Sequence, residues 1–221
     1  LARFSFKWES EHYVWLAVSF VCGFTALAYE VIWSRLLVFS IASTVYSFSM
    51  MLGVFLLGIM LGSLLVVTFS RSNLNLRTVL IFLQAGIGLY VIGSLYNIDQ
   101  LLSAPWNGYN LQKPVFVFSR YFLDSSALML LPAIGLGMSF PILVKMISGG
   151  YRHIGKETGQ IYGVNTLGAI SGSLLTGFLL IPKLGTQQSL LLVATLNLLM
   201  MLFLFRTGDY FTKTLRKVMT V

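Results

Sequence analysis

Glu30 is the side chain whose placement most invites chemistry. It stands in an unbroken apolar run, directly after Tyr29 and one helical turn before Trp33. A carboxylate at membrane depth is costly, so such groups pair across helices or serve ion and proton pathways. Three readings stay open for Glu30: a structural ion pair or hydrogen bond, a proton or cation site, or exposure at the interface. Arg35 follows five residues later. That offset is roughly 140° around a helix, so Arg35 does not face Glu30 directly. Its long stem can carry the guanidinium to the headgroups. Asn165 is the third candidate for an intramembrane polar site. With Gln84, Thr166 and Asn197 it could hydrogen-bond across a helix interface, a contribution of roughly 1 kcal/mol. Arg120 and Asp124 are four residues apart, which fits a local ion pair.

Other chemistries find no residues. His12 and His153 are the only histidines, and both fall at or beyond helix ends. A bis-histidine haem needs its ligands on facing helices at depth. Two peripheral histidines support no Ser–His–Asp arrangement either. There is no phosphate-binding loop and no HExxH zinc pattern. Cys22 is the single cysteine, so one chain cannot form a disulfide or a cysteine-rich metal site. No catalytic, cofactor-binding or metal-binding residue is therefore named, and no cofactor is expected.

The elements that must position these groups are membrane helices. Of 221 residues, 57% are hydrophobic and only 10% charged. A soluble domain carries about 25% charged residues, so this chain cannot build a water-facing surface and needs lipid as its solvent. Each crossing takes ~20 apolar residues. Six runs qualify, at about 13–39, 44–69, 78–96, 115–147, 158–181 and 187–205, followed by a short basic tail, 206–221. The expected fold is all-α: one polytopic transmembrane domain of about six helices. Pro132 and Pro141 should kink the fourth helix. The pairs Gly58/Gly62, Gly159/Gly163 and Gly168/Gly172 have the four-residue spacing that lets helix backbones approach closely. Trp8, Trp15, Trp106 and Tyr109 flank the runs, as interfacial anchors do.

The net charge of +8 would suggest nucleic acid in a soluble protein. Here the basic residues lie between apolar runs, which points to membrane orientation, and no nucleic-acid partner is expected. With the N-terminus inside, eleven lie inside: Arg3, Lys7, Arg71, Arg77, Lys145, Arg152, Lys156, Arg206, Lys213, Arg216 and Lys217. Four lie outside: Arg35, Lys113, Arg120 and Lys183. Cytoplasmic loops gather Lys and Arg, so both termini are expected in the cytoplasm.

Three stretches resemble one family, the membrane part of fused major-facilitator/spermidine synthase-like bacterial proteins. They are the Tyr-Glu, Trp, Arg-Leu run of residues 28–37, the Pro, Gly, Phe-Pro pattern of 131–141, and the long Gly-rich signature of 159–185. The resemblance implies half of a major-facilitator fold in the bacterial inner membrane. It departs at 66–71, where Val-Val-Thr-Phe-Ser-Arg replaces an acidic turn. Relatives commonly carry an aminopropyltransferase-like soluble domain, and the stretch after Arg206 is too short for one. The expectation is thus a membrane fold without enzyme activity. The chain would scaffold or anchor within a complex, with the bilayer and other membrane subunits as partners. Two alternatives stand beside it. One is a transporter or half-transporter for a small cation or polyamine. The other is the membrane part of an aminopropyltransferase-like enzyme.

Overall fold

A computed structural model describes residues 2–40, 45–69, 75–96, 114–147 and 154–207. The described residues form an all-α bundle with six helices long and apolar enough to cross a membrane. Helix α1 is Ala2–Ser40, α2 is Val45–Phe69 and α3 is Leu76–Tyr96. Helix α4 covers 114–147, with α-helical Pro114–Ser125 and Leu131–Ile147 joined by a π-helical turn, Ser126–Leu130. Helix α5 covers 154–184 and contains a second π-helical turn, Thr176–Leu180. Helix α6 is Thr186–Arg206. The expected runs are all present. Most differ by a few residues at their ends, and α1 begins well before its apolar run. Trp106, Tyr109, His153 and the basic tail beyond Thr207 lie outside the described residues, as does the side chain of Trp8.

A single residue, Gly185, joins α5 to α6. Its φ of 80° and ψ of 170° reverse the chain in one step. That conformation is open essentially only to glycine.

The closest pairings are α1 with α5, α2 with α4, and α3 with α6. The contacts fix their directions. Gly23, Phe20 and Phe24 of α1 meet Asn165, Gly168 and Gly172 of α5, so these helices run parallel. Gly58 and Gly62 of α2 meet Ala133 and Ile134 of α4, again in parallel. On α3, Arg77 reaches Leu204 while Gly88 meets Ala194, so α3 and α6 are antiparallel. Next come α3 with α4 and α1 with α6. Exchanging the first three helices with the last three maps this set of pairings onto itself.

Buried apolar side chains form two clusters at different depths. The distal cluster, at the end where α1 finishes, includes Trp33, Phe55, Val91, Met129 and Val193. The proximal cluster includes Val18, Leu80, Leu143, Ile161 and Leu204.

Proline shapes α4 and α5 in a specific way. A proline ring meets the carbonyl four residues back and gives it no N–H. For Pro132 that residue is Leu128, and for Pro182 it is Phe178; each falls inside a π turn. Widening the helix there makes room for the ring. Neighbouring helices then serve the carbonyls left over. The Tyr90 hydroxyl of α3 donates to Ala127 O in the first π turn. Pro141 sits inside regular helix, and Gly137 O, four residues before it, accepts from Ser63 Oγ of α2 at 3.1 Å.

Candidate functional site

The polar residues of the membrane segments sort into a paired core, two glycine clamps and a set of groups with no partner among the described residues. The core lies where α1, α3, α4 and α6 meet. Tyr29 Oη donates to Asn197 Oδ1 at 2.8 Å, and Asn197 Nδ2 donates to Gln84 Oε1. Gln84 Nε2 donates to Ser139 Oγ at 3.3 Å and reaches Cys22 Sγ at 3.6 Å. Ser139 Oγ donates to Gly135 O at 2.9 Å. Tyr29, Gln84 and Asn197 are completely buried. Every link is made by a neutral group, and carboxamides do not exchange protons as acids and bases do. The chain therefore fixes four helices to one another and is not built to relay charge. Tyr29 also stacks on Trp33, with ring centroids 5.0 Å apart, and Trp33 meets Phe55 edge-on at 6.5 Å.

At the proximal end Arg77 ties three helices. Its Nη2 donates to Leu204 O at 3.0 Å and to Thr207 Oγ1, and its guanidinium lies 5.5 Å from the Trp15 ring centre. A cation on the last carbonyls of a helix opposes the negative end of its dipole. The spacing of Arg120 and Asp124 is realised as an ion pair of 2.9 Å.

The glycine clamps are built alike. A Cβ on Gly62 would run into Ile134 O, and one on Gly137 into Ile59 O. A Cβ on Gly168 would run into Phe20 O, one on Gly172 into Phe24 O, and one on Gly23 into Asn165 O. Gly58 is closed by Ala133. Gly159 and Gly163 differ: nothing lies within 4 Å of either position. They share the spacing of the packed pairs but sit on the open side of α5.

The three polar candidates are not brought together. Glu30 is half-buried, Arg35 is exposed, and Asn165 is partly buried beside Gly23. Neither Glu30 nor Arg35 makes an ion pair with another described residue. Among the described residues no three His, Cys, Asp or Glu side chains gather as metal ligands would. The residues that do converge are Tyr29, Gln84, Ser139 and Asn197. Gln84 and Asn197 are recognisable as polar groups in apolar runs, but nothing in the sequence says they meet each other.

Exposure and polarity disagree on α5. A lipid-facing helix is expected to be the more apolar one. Of the six spans, α5 is the least apolar and also the least covered by the rest of the bundle. Its open side carries Gly159, Gln160, Tyr162, Gly163 and Thr166 in the first half and Leu167, Ile170, Leu174 and Phe178 in the second. Helix α2 is the most apolar span, and its open side carries Leu56, Met60, Leu64 and Val67. No protein-family model matches the chain, and no curated protein or solved structure matches it.

Proposed function

We propose that this chain is a non-catalytic membrane module that acts by docking onto another membrane protein through the open side of α5. The observation that carries this is the mismatch on that helix: the least apolar span has the least cover. Gln160 pairs with His12 and Thr166 with Tyr162 O, yet both stay exposed, and a partner helix can approach closely over Gly159 and Gly163 and hydrogen-bond to the polar atoms beside them. The paired polar core suits such a role, because it holds the bundle rigid while one flank stays free. In this reading the module sits in the bacterial inner membrane with both termini in the cytoplasm, as the charge distribution and the family resemblance suggest.

The test is the size and composition of the native complex in mild detergent. The chain should run with a stoichiometric partner, and Gly163→Leu should release it as a folded monomer. A wild-type protein that is monomeric at every detergent concentration would sink the proposal.

One observation favours a second reading. Glu30 is a half-buried carboxylate inside a membrane span and has no ion-pair partner among the described residues. Transport of a small cation would use it as the coupling group. Uptake into proteoliposomes that survives Glu30→Gln unchanged would remove that reading.

A further inference from the structure

The polar atoms of the bundle are satisfied unevenly. In the proximal half and at mid-depth, the hydroxyls of Ser19, Ser63 and Ser139 and the amides of Gln84 and Asn197 all have partners. Among the described residues, five buried side-chain atoms have none. One is Glu157 Oε2 in the first turn of α5. The other four are Trp33 Nε1, Ser125 Oγ, Ser126 Oγ and Thr176 Oγ1, in the distal parts of α1, α4 and α5. Trp33, Ser125 and Thr176 are completely buried.

These positions share two further features. Many hydroxyls elsewhere in the membrane helices bond back to the carbonyl three or four residues earlier, as Ser34, Ser94, Ser63 and Ser139 do. The three unpartnered hydroxyls do not: Ser126 and Thr176 open the two π turns, Ser126–Leu130 and Thr176–Leu180, and Ser125 directly precedes the first. Such turns recur at functional sites. The second feature is their surroundings. Trp33 belongs to the distal cluster, as do Tyr121, Leu128 and Met129. Those three lie four residues before and three and four after Ser125, on its side of α4. An unpaired polar atom in an apolar core bears its full desolvation cost. Four of them in one half of a membrane bundle call for a partner that the described residues do not supply.

We propose that the distal half of the bundle is a site for water and small hydrogen-bonding solutes, opened by movement at the two π turns. Trp33 Nε1 donates to the guest, and the hydroxyls of Ser125, Ser126 and Thr176 donate or accept. The structure shows the closed form, with the four atoms sealed. The paired proximal half forms the floor that keeps the site from crossing the membrane. This site is separate from the docking side of α5, so either can fail without the other.

Cysteine accessibility tests it. The native thiol of Cys22 is buried in the proximal cluster and is removed as Cys22→Ala. Ser125→Cys, Ser126→Cys and Thr176→Cys are then compared with Ser19→Cys and Ser139→Cys in sealed membrane vesicles. The probe is a small, membrane-impermeant quaternary-ammonium methanethiosulfonate. The distal cysteines should react at least tenfold faster than the proximal ones, and only with reagent on the side where α1 ends. Three distal positions keep the test alive if one variant does not assemble, which gel filtration shows. The proposal is overturned if the assembled distal variants react as slowly as the proximal ones while all react after denaturation in SDS. Reaction only from the side where α1 begins overturns it as well.

Discussion

Helices α2 and α5 are fastened in the same way and finished differently. Each runs parallel to a central helix and is pressed on it through two glycines four residues apart, Gly58/Gly62 on α4 and Gly168/Gly172 on α1. The outward side of α2 is mostly leucine, methionine and valine, with Gly53 and Thr68 among them, and that of α5 mixes glycine with Gln160, Tyr162 and Thr166 in its first half before Leu167, Ile170 and Phe178. The difference separates two jobs that a membrane helix performs. The inward glycines set the fold, because backbone contact is where close packing gains most when lipid competes equally for apolar side chains. The outward side chains set what the helix meets next.

The largest expected effect breaks the shared half of this comparison. Gly62→Leu and Gly168→Leu each drive a side chain into a carbonyl of the neighbouring helix. Overpacking of well-packed sites costs ~1–3 kcal/mol and occasionally more. Both sites should lie at the upper end, because backbone cannot move aside as a side chain can. Thermal unfolding in detergent should show large and similar losses for the two variants. A tolerant Gly168 beside an intolerant Gly62 would mean that the clamps are not equivalent.

The next effect sharpens the differing half. Gly159, Gly163 and Gly53 all have open space where a Cβ would go. Leucine at any of them should change folding stability by no more than ~0.5 kcal/mol. Association should respond otherwise. Gly159→Leu and Gly163→Leu on α5 should abolish partner binding, read as a shift to monomer on gel filtration, while Gly53→Leu on α2 should leave it intact. Equal loss from all three would place the partner elsewhere.

A change on the outward side alone comes third. Thr166→Leu makes the open side of α5 more like that of α2. Membrane yield should hold or rise, since the Thr166 hydroxyl bonds only to its own helix, at Tyr162 O. Binding should weaken by about tenfold or less, the scale of ~1 kcal/mol for one hydrogen bond. Titration of purified complex by native electrophoresis checks both.

The sequence made some of this legible and not the rest, for identifiable reasons. The six spans could be read because the solvent forces ~20 apolar residues per crossing, and Arg120–Asp124 because its partners share one helix. The two kinds of glycine pair could not be told apart. Four-residue spacing shows that a helix side is smooth, not which neighbour arrives there, and so Gly159/Gly163 and Gly168/Gly172 look the same until α1 is placed. The Tyr29–Asn197–Gln84–Ser139 chain was hidden for a related reason. It joins residues up to 168 positions apart on four helices, and no local period records such a meeting. Pro132 and Pro141 announced a disturbance in α4. Whether it becomes a π turn or a borrowed hydroxyl depends on what stands opposite, Tyr90 in one case and Ser63 in the other.

The finest distinction between the clamps lies in a single hydrogen bond. Each clamp has a serine that donates across it to a backbone carbonyl, Ser63 to Gly137 O and Ser19 to Ile161 O, both at 3.1 Å. The two carbonyls differ in need. Ile161 O lies in regular helix, where the N–H of Asn165 serves it as well. Gly137 O stands four residues before Pro141, which has no N–H to give. Ser19→Ala therefore removes a redundant bond and should cost about 0.6 kcal/mol, an average for such contacts in membrane bundles. Ser63→Ala leaves a buried carbonyl bare and should cost roughly 1–3 kcal/mol. Chemical unfolding in mixed micelles can resolve that difference. Equal costs would show that α4 relaxes around Pro141 without help from α2, and that the α2 clamp is held by its glycines alone.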